Sequence, residues 1–284
     1  MHTKYHEHIA MLASKAVLYE VTASPKPGLV DRYNNGAHTD MDFFTFMASS
    51  SALNRGFLEI AQVAKEFVGQ PFELLNRLRP IGIMMEEAMF EATSGVNTHK
   101  GIIFSLGLLV AATVEVSKRE TPSAEVVATY VKTMTVGLTE ELKNDDKDAQ
   151  MTNGEKIFQT YGYTGIRGEV EAGFPTVMNF GLDALKKSYY TLGCKNKSFI
   201  QTLFRLMTVC EDSNIISRHN PETLNEVQEV AKNFLESGGM YQENCIQQVE
   251  ELDKRFTEAY ISPGGSADLL AVSIFFGLIE NIIQ

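Results

Sequence analysis

Apolar residues recur at helical spacing along nearly the whole chain. Ile9, Leu12, Ala13 and Ala16 open this pattern with the 3, 1, 3 spacing of one helix face. No run of residues alternates apolar and polar side chains as a half-buried strand would, and no Asn-Gly pair joins two strand-like runs. The pattern therefore predicts an all-α protein.

Prolines, glycines and cap residues divide the pattern into separate helices. Pro80 suits a first helical position, so two helices are predicted after Pro71. The predicted helices cover residues 9–20, 40–68, 71–79, 80–93, 99–118, 123–142, 175–192, 197–210, 221–236, 240–260 and 266–283. The acidic patch at 143–148 is too short for a linker, and we interpret it as a solvated turn. These features predict a single compact multi-helix domain over residues 1–284, with functional loops at helix N-termini.

The composition excludes several classes of protein. With 284 residues, 44% hydrophobic and 21% charged, the chain is typical of globular proteins and unlike disordered or disulfide-stapled ones. Its formal net charge of −11 disfavours nucleic acid or an anionic membrane as a partner. The three cysteines lack paired or metal-ligand spacing, and no apolar stretch reaches the roughly 20 residues of a membrane span. Because the N-terminus also lacks the apolar core of a signal peptide, the sequence predicts a soluble, cytoplasmic protein.

Segment 24–42, SPKPGLVDRYNNGAHTDMD, breaks the helical pattern with prolines and glycines. A solvated loop needs only turn-forming residues, whereas this one mixes both charge signs with amides and a histidine. A loop of this length between helices is usually functional or disordered, and its apolar residues indicate that it is packed down. The polar side chains that we select as candidates are Lys26, Asp31, Arg32, Asn34, His38 and Asp40.

Segment 95–101, GVNTHKG, leads into an apolar helix. Backbone N–H groups at a helix N-terminus attract phosphate, and His99 and Lys100 add cationic donors. Asn97 or Thr98 as a simple helix cap is the alternative interpretation, which leaves the histidine and the lysine unexplained.

Segment 162–175, GYTGIRGEVEAGFP, contains four glycines, which allow tight turns or a close approach of backbone to a ligand. Arg167 is followed by Glu169 and Glu171. A surface ion-pair loop is the alternative interpretation. No standard nucleotide-binding fingerprint occurs in the chain.

Three further places in the sequence carry candidate polar groups, namely residues 212–218, residues 266–268 and Glu86. Asp212, Asn214 and Arg218 follow an apolar helix, and Ser266 and Asp268 open the last helix in a segment suited to an anion. Asp268 there could equally serve only to favour the helix dipole. Glu86 lies on an apolar helix face, where a carboxylate needs a cation or a metal as its partner.

These cations and carboxylates suit a polyphosphate bound through guanidinium and ammonium groups and a divalent metal. Mg2+ typically uses one or two carboxylates together with phosphate oxygens. The residues alone therefore predict a phosphate-compound site in an all-α protein, and they do not identify the compound.

Five sequence blocks hold most of these polar residues. They read PKPGLVDR at 25–32, GAHTDM at 36–41, NTHKG at 97–101, GIRGE at 165–169 with GFP at 173–175, and GGSADL at 264–269. In these blocks and in their order the chain resembles the triphosphoribosyl-dephospho-CoA synthase family. The resemblance covers nearly the whole chain. One departure is His219-Asn220, which stands where the family tends to continue with glycines.

The resemblance implies an all-α transferase that joins ATP to 3'-dephospho-CoA. The 2'-hydroxyl of dephospho-CoA bonds to C1 of the ATP ribose, adenine leaves, and the product is 2'-(5''-triphosphoribosyl)-3'-dephospho-CoA. In the family, this product is the precursor of the acyl-carrier prosthetic group of citrate lyase or malonate decarboxylase. A transferase that modifies the acyl carrier protein would therefore receive it, and a homo-oligomer is compatible with the resemblance.

The residue types within the matching blocks predict a role for each candidate residue in this reaction. Mg2+ is the cofactor that we expect. The candidates for proton transfer are Asp31, His38, Asp40 and Glu169, and the choice of base among them stays open. The candidate metal ligands are Asp31, Glu86 and Asp212. The candidate substrate contacts are Lys26, Arg32, Asn34, Asn97, His99, Lys100, Arg167, Glu171, Asn214, Arg218, Ser266 and Asp268.

Two other classes of function compete with this interpretation. A Mg2+-dependent all-α hydrolase of ADP-ribose-like compounds would share the acid-rich loops, but it would need no second substrate. A helical scaffold for a partner protein would need an amphipathic repeat, which the sequence lacks.

Overall fold

The computed structural model of the protein describes residues 4–143 and 151–284. Within these ranges the chain forms helices and no strand, which confirms the predicted all-α class. The α-helices are α1 Tyr5–Thr22, α2 Phe43–Glu66, α3 Pro71–Ala92, α4 Lys100–Ser117, α5 Ala124–Met134, α6 Asn153–Tyr161, α7 Gly165–Glu171, α8 Leu182–Leu192, α9 Lys195–Met207, α10 Ser213–Arg218, α11 Pro221–Glu236, α12 Cys245–Glu258 and α13 Gly264–Ile279. Apart from Lys143, the turn predicted at 143–148 lies outside the described residues.

Helices α4 and α13 form the centre of the fold because they are apolar on nearly every side. The long helices α1, α2 and α3 pack on α4 together with α5, and α1, α8 and α9 pack on α13. The buried hydrophobic residues form one cluster that extends from Ile9 to Ile283. The single domain over residues 1–284 stays a prediction.

By length and composition alone, α4 could cross a membrane, and it is the one such helix in the described part of the chain. However, 78% of its 18-residue window is buried inside the protein. Its apolar side chains therefore serve the core.

The prediction of two helices after Pro71 is wrong, because α3 continues through Pro80. A proline inside a helix costs about 3 kcal/mol, mainly through the lost N–H donor and a steric clash. Leu78, Ile81 and Met85 are buried on both sides of Pro80, so packing on α2 and α4 compensates for this cost.

Other helix boundaries differ from the predicted ones where a local turn or cap interrupts the periodic pattern. The helix predicted over 123–142 ends at Met134, and Gly137, with φ +83°, leads into a 3-10 turn over Leu138–Lys143. Helix α2 begins after Asp42, whose carboxylate accepts the Thr45 N–H at 2.8 Å, and not near 39–40. The short helices α7 and α10 lie in segments that we interpreted as loops.

Candidate active site

A cavity of about 1110 Å³ lies where the N-terminal ends of several helices meet. Residues from the first turns of α4, α6, α7, α10 and α13 line it, and α3 and the C-terminal end of α1 complete the wall. The N-terminal end of a helix carries a partial positive charge, so this arrangement favours an anionic ligand. The volume exceeds the roughly 300–1,000 Å³ typical of a site for one small ligand.

More than half of the predicted site residues reach this cavity although they come from six separate segments. Those that line it are Lys26, His38, Glu86, Asn97, Lys100, Arg167, Glu169, Asn214, Arg218 and Asp268. The cavity therefore brings together residues from all the segments that broke the helical pattern.

A buried ion pair lines part of the cavity wall. Lys26 Nζ lies 2.5 Å from the Glu20 carboxylate and donates to the Glu20 carbonyl at 2.9 Å, and both side chains are almost fully buried. A charge removed from water needs such a partner. Glu20 was not selected from the sequence because it continues the helical pattern of α1.

Asp31 holds the loop that carries Lys26 and does not line the cavity. Its carboxylate accepts N–H groups of Lys26 at 2.8 Å, Tyr33 at 2.7 Å and Asn34 at 3.3 Å, and the residue is buried. On the other side of the loop, Asp253 of α12 accepts the Gly28 N–H and the Asn34 side-chain amide. Asp31 thus shapes the candidate site from outside the cavity.

Asp212 joins the first turns of two helices. Its carboxylate accepts the N–H groups of Asn214 and Ile215 in α10 and those of Gly265 and Ser266 in α13, at 2.8–3.4 Å. The Ser266 hydroxyl also donates to it at 3.0 Å. The anion that we predicted at the start of α13 is therefore a carboxylate of the protein itself. Burial nevertheless raises the Asp212 pKa.

His38 links the loop to α10 and α13. Arg218 donates to its Nδ1 at 3.1 Å, so Nε2 carries the proton that meets the Ser262 hydroxyl at 2.9 Å. Burial, with the Arg218 charge adding to it, lowers the His38 pKa to about 4, against the attraction of Asp40. His38 is consequently neutral at physiological pH and its lone pair is already engaged.

Arg167 presents an unsatisfied donor at the cavity wall. Its Nη2 lies 3.8 Å from the Glu155 carboxylate, whereas Nη1 is buried and has no hydrogen-bond partner among the described residues. A buried guanidinium donor without a partner costs free energy, which an anionic ligand would recover.

Glu169 lies in the last turn of α7 and accepts the Thr176 N–H at 2.8 Å. Burial raises its pKa, assisted by the nearby charge of Glu211, and this outweighs the hydrogen bonds from Thr176 and Val177. A carboxylate with a raised pKa is a better base than an ordinary one at neutral pH.

The start of α4 contributes both a contact of Asn97 with the backbone and an ion pair. The Asn97 side-chain oxygen accepts the Lys100 N–H at 3.2 Å, while the N-cap position of α4 is occupied by His99. Asn97 also lines the cavity. Lys100 Nζ lies 2.8 Å from the Glu86 carboxylate. Lys100 is therefore the cation that we expected as the partner of Glu86 on the apolar face of α3.

His99 is fully buried behind this turn. The Thr98 hydroxyl donates to Ser49 at 2.7 Å, and the Ser49 hydroxyl meets His99 Nδ1 at 2.6 Å. Burial, with the Lys26 charge adding to it, lowers the His99 pKa to about 3. Neutral His99 therefore supports the turn from within, and it does not line the cavity.

Several predicted contacts are made elsewhere. Arg32 lies against the Ser24 hydroxyl and the Tyr33 ring, Asp40 has a side chain 61% exposed, and Glu171 accepts the N–H groups of Gly137 and Thr139. With Asp31, Asn34, His99, Asp212 and Ser266, these residues are not part of the cavity wall.

In the described segments, no three His, Cys, Asp or Glu residues lie together as metal ligands. The structure therefore does not gather Asp31, Glu86 and Asp212 into one metal centre. Of the three, Glu86 is the one that lines the cavity, and the oxygens of the other two accept N–H groups.

The cavity also contains residues that the sequence analysis did not select. Arg79 of α3 forms an ion pair with Glu141 of the 3-10 turn. Glu211, which also lines the cavity, directly precedes the N-cap residue Asp212. Ile83, Phe90 and Phe104 add an apolar wall beside them. Apart from Glu211, these residues lie within segments predicted as periodic helices, so only their neighbours in space distinguish them.

The chain is similar to known proteins over nearly its whole length. The family model for CitG, ATP:dephospho-CoA triphosphoribosyl transferase, matches residues 6–284. A probable 2-(5''-triphosphoribosyl)-3'-dephosphocoenzyme-A synthase of Lactiplantibacillus plantarum is 41% identical over 95% of this chain and 96% of the relative. Proteins of the same description from Vibrio cholerae and Streptococcus mutans are 39% and 36% identical, over 97% of this chain and 88% and 97% of their own lengths. No solved structure matches.

Proposed function

This chain belongs to the CitG family of ATP:dephospho-CoA triphosphoribosyl transferases, and on that premise we propose its reaction and the roles of its residues. The enzyme joins ATP to 3'-dephospho-CoA and releases adenine, and the product is 2'-(5''-triphosphoribosyl)-3'-dephospho-CoA. The comparisons give no support to the alternative of a hydrolase of ADP-ribose-like compounds.

The observation that carries this proposal is the unsatisfied Arg167 donor in a cavity surrounded by helix N-termini. Arg167 and Arg218 bind the triphosphate together with Lys26 and Lys100, and Lys26 stays paired with Glu20. The apolar wall around Phe90 and Phe104 suits the pantetheine arm of the second substrate. A cavity larger than the usual single-ligand site is consistent with two substrates bound side by side.

Glu169 is the base that accepts the proton of the attacking 2'-hydroxyl. It lines the cavity, and burial raises its pKa towards the range in which a carboxylate is an efficient base. His38 instead orients Arg218, because its Nδ1 already accepts from that guanidinium. Asp31 and Asp40 do not line the cavity, so they are not assigned to the chemistry.

Mg2+ accompanies the triphosphate, and Glu86 is the carboxylate that would hold it. One or two carboxylates with phosphate oxygens and water suffice for Mg2+, so the lack of a three-residue cluster among the described positions is compatible with this role. When bound, the ion neutralises part of the triphosphate charge.

The setting of the reaction follows from the same proposal. ATP and dephospho-CoA are cytoplasmic metabolites, so the enzyme acts as a soluble cytoplasmic protein without nucleic-acid or membrane partners. Its product passes to a transferase that modifies an acyl carrier protein.

Mass spectrometry of the purified protein with ATP, dephospho-CoA and Mg2+, each omitted in turn, tests this function. We expect free adenine and an adduct at the summed substrate mass less adenine, and only when both substrates are present. Adenine without the adduct would indicate a hydrolase, and no adenine from folded protein would overturn the proposal.

A further inference from the structure

Asp268 belongs to α13 and lines the cavity next to the first turn of a second helix, α4. Its carboxylate lies over the first turn of α4, so close that a Cβ atom on Gly101 would stand 2.0 Å from Asp268 Oδ2. The residue is partly exposed, and this exposure is to the cavity that it lines. No hydrogen bond to its carboxylate is found within residues 4–143 and 151–284.

The other charged groups near Asp268 give it no cation of its own. Three cavity carboxylates are paired, Glu20 with Lys26, Glu86 with Lys100 and Glu141 with Arg79. Asp268 instead lies within reach of two carboxylates, that of Glu20 and that of Asp212.

Burial is the largest cause that raises the Asp268 pKa well above its usual value, and the charges of Glu20 and Asp212 act in the same direction. The positive ends of α4 and α13 favour the ionised form, but each such interaction is worth only about 0.3–1 kcal/mol. An acid kept neutral in this way can donate a proton at neutral pH.

The proposed reaction requires such a donor. The bond between C1' of the ATP ribose and N9 of adenine breaks, and its electron pair leaves with adenine. The 2'-oxygen of dephospho-CoA forms the new bond to C1', and its proton passes to the base. Adenine is a poor leaving group as an anion, so a ring nitrogen has to receive a proton as the bond breaks.

We infer that Asp268 is the acid that donates this proton to the departing adenine. The inference rests on the proposed function. That reaction needs two proton transfers, of which Glu169 accepts one and Asp268 supplies the other. Asp268 of α13 and Glu169 of α7 both line the cavity. A displacement with nucleophile and leaving group on opposite faces of the sugar needs two such groups, one as acid and one as base. After turnover, solvent returns the proton from the base to Asp268.

The variant Asp268→Asn tests this role because it keeps the shape of the side chain and removes the transferable proton. With ATP, its kcat should fall by about 10²–10⁴, the usual contribution of general acid catalysis. The affinity for dephospho-CoA, measured by titration calorimetry, should stay within about threefold. Asp183→Asn, the same change at an exposed position of α8, should keep the wild-type rate.

An ATP analogue methylated at N7 of adenine separates proton donation from any other role. Its base already carries a positive charge and leaves as neutral 7-methyladenine, so no acid is required. We expect Asp268→Asn to use this analogue at nearly the rate of the wild type, after subtraction of spontaneous cleavage.

The outcomes are distinct. An equal loss with ATP and with the methylated analogue would overturn the role as proton donor, and so would a rate with ATP within threefold of wild type. Asp268→Ser, checked by far-UV circular dichroism, repeats the comparison if the asparagine variant is misfolded. Failure of the wild type to form any adduct would instead overturn the proposed function itself.

Discussion

Arg167 is the residue whose removal should most directly weaken substrate binding. Its buried Nη1 has no partner in the described part of the chain, so a phosphate oxygen is the group that would satisfy it. A hydrogen bond to a charged group contributes about 1.5–3 kcal/mol, so Arg167→Ala should raise the KM for ATP by about 10- to 100-fold. Steady-state kinetics of adduct formation measures this.

Arg32→Ala provides the matched comparison. Arg32 is also a predicted substrate contact, but its guanidinium lies against Ser24 and Tyr33 and does not line the cavity. Its KM for ATP should stay within about threefold of wild type. Equal effects of the two substitutions would contradict the assignment of the triphosphate to the Arg167 wall.

Asp268 should also make stability depend on pH. Its pKa is raised in the folded chain, so the folded state holds a proton that the unfolded state releases above about pH 3.9. The free energy of unfolding contributed by this residue is therefore fully present below that pH and is lost as the pH rises through the folded-state pKa.

Asp268→Asn should consequently raise Tm at neutral and alkaline pH, by about 2–4 °C for each kcal/mol recovered. The difference from wild type should widen with rising pH and close near pH 4. Calorimetric scans of both proteins between pH 4 and 9 check this, and a constant difference over that range would contradict it.

Most cavity-lining residues with unusual local sequence could be predicted, and those with ordinary local sequence could not. Lys26, Arg167 and Asp268 stand in segments that break the helical pattern, whereas Glu20 and Arg79 occupy positions that any amphipathic helix would fill with charge. Asp31 and Asp212 had the right type and segment, but their carboxylates bind backbone N–H groups. Local sequence shows that a polar group has a purpose, and the fold decides whether it faces ligand or backbone.

At the scale of elements, Asp212 should act as a structural joint. Five hydrogen bonds from the first turns of α10 and α13 end on its carboxylate. Asp212→Ala leaves these buried donors without an acceptor, so we expect the free energy of unfolding to fall by about 3 kcal/mol or more. Urea denaturation followed by circular dichroism measures this loss.

Asn220→Ala, which removes the N-cap bond to Thr223 in α11, is the control and should cost only about 1 kcal/mol. The Mg2+ concentration for half-maximal activity should be unchanged in Asp212→Ala. A large rise in that concentration without loss of stability would instead favour Asp212 as a metal ligand.

The long helices could be predicted from periodicity because burial on one face fixes their spacing. Helix α11 has the predicted bounds, and α13 begins within two residues of the prediction. Helix α7 was missed because its glycines favour turns locally, while contacts of α7 with α4 and α5 stabilise it in the fold. Short helices around a ligand cavity depend on tertiary contacts that sequence patterns do not contain.

At the scale of the whole molecule, the two ends of the chain are packed together. Helix α1 packs along α13, and the Tyr19 hydroxyl donates to the carbonyl of Gln284 at 3.3 Å. The cavity draws its wall from both halves of the chain, since α3 and α4 line it together with α10 and α13. Neither half can therefore unfold without exposing the central helices that the other half covers.

This interlocking predicts a single cooperative unfolding transition although the chain exceeds the roughly 150 residues for which two-state behaviour is usual. The protein has no tryptophan, but its 10 tyrosines report tertiary packing in the near-ultraviolet. The near- and far-ultraviolet circular dichroism transitions in urea should have the same midpoint, and ATP with dephospho-CoA should shift both together because the ligands bind the folded state. Two separated midpoints, or a ligand shift in one signal alone, would show that residues 1–284 unfold as more than one unit and contradict the single domain.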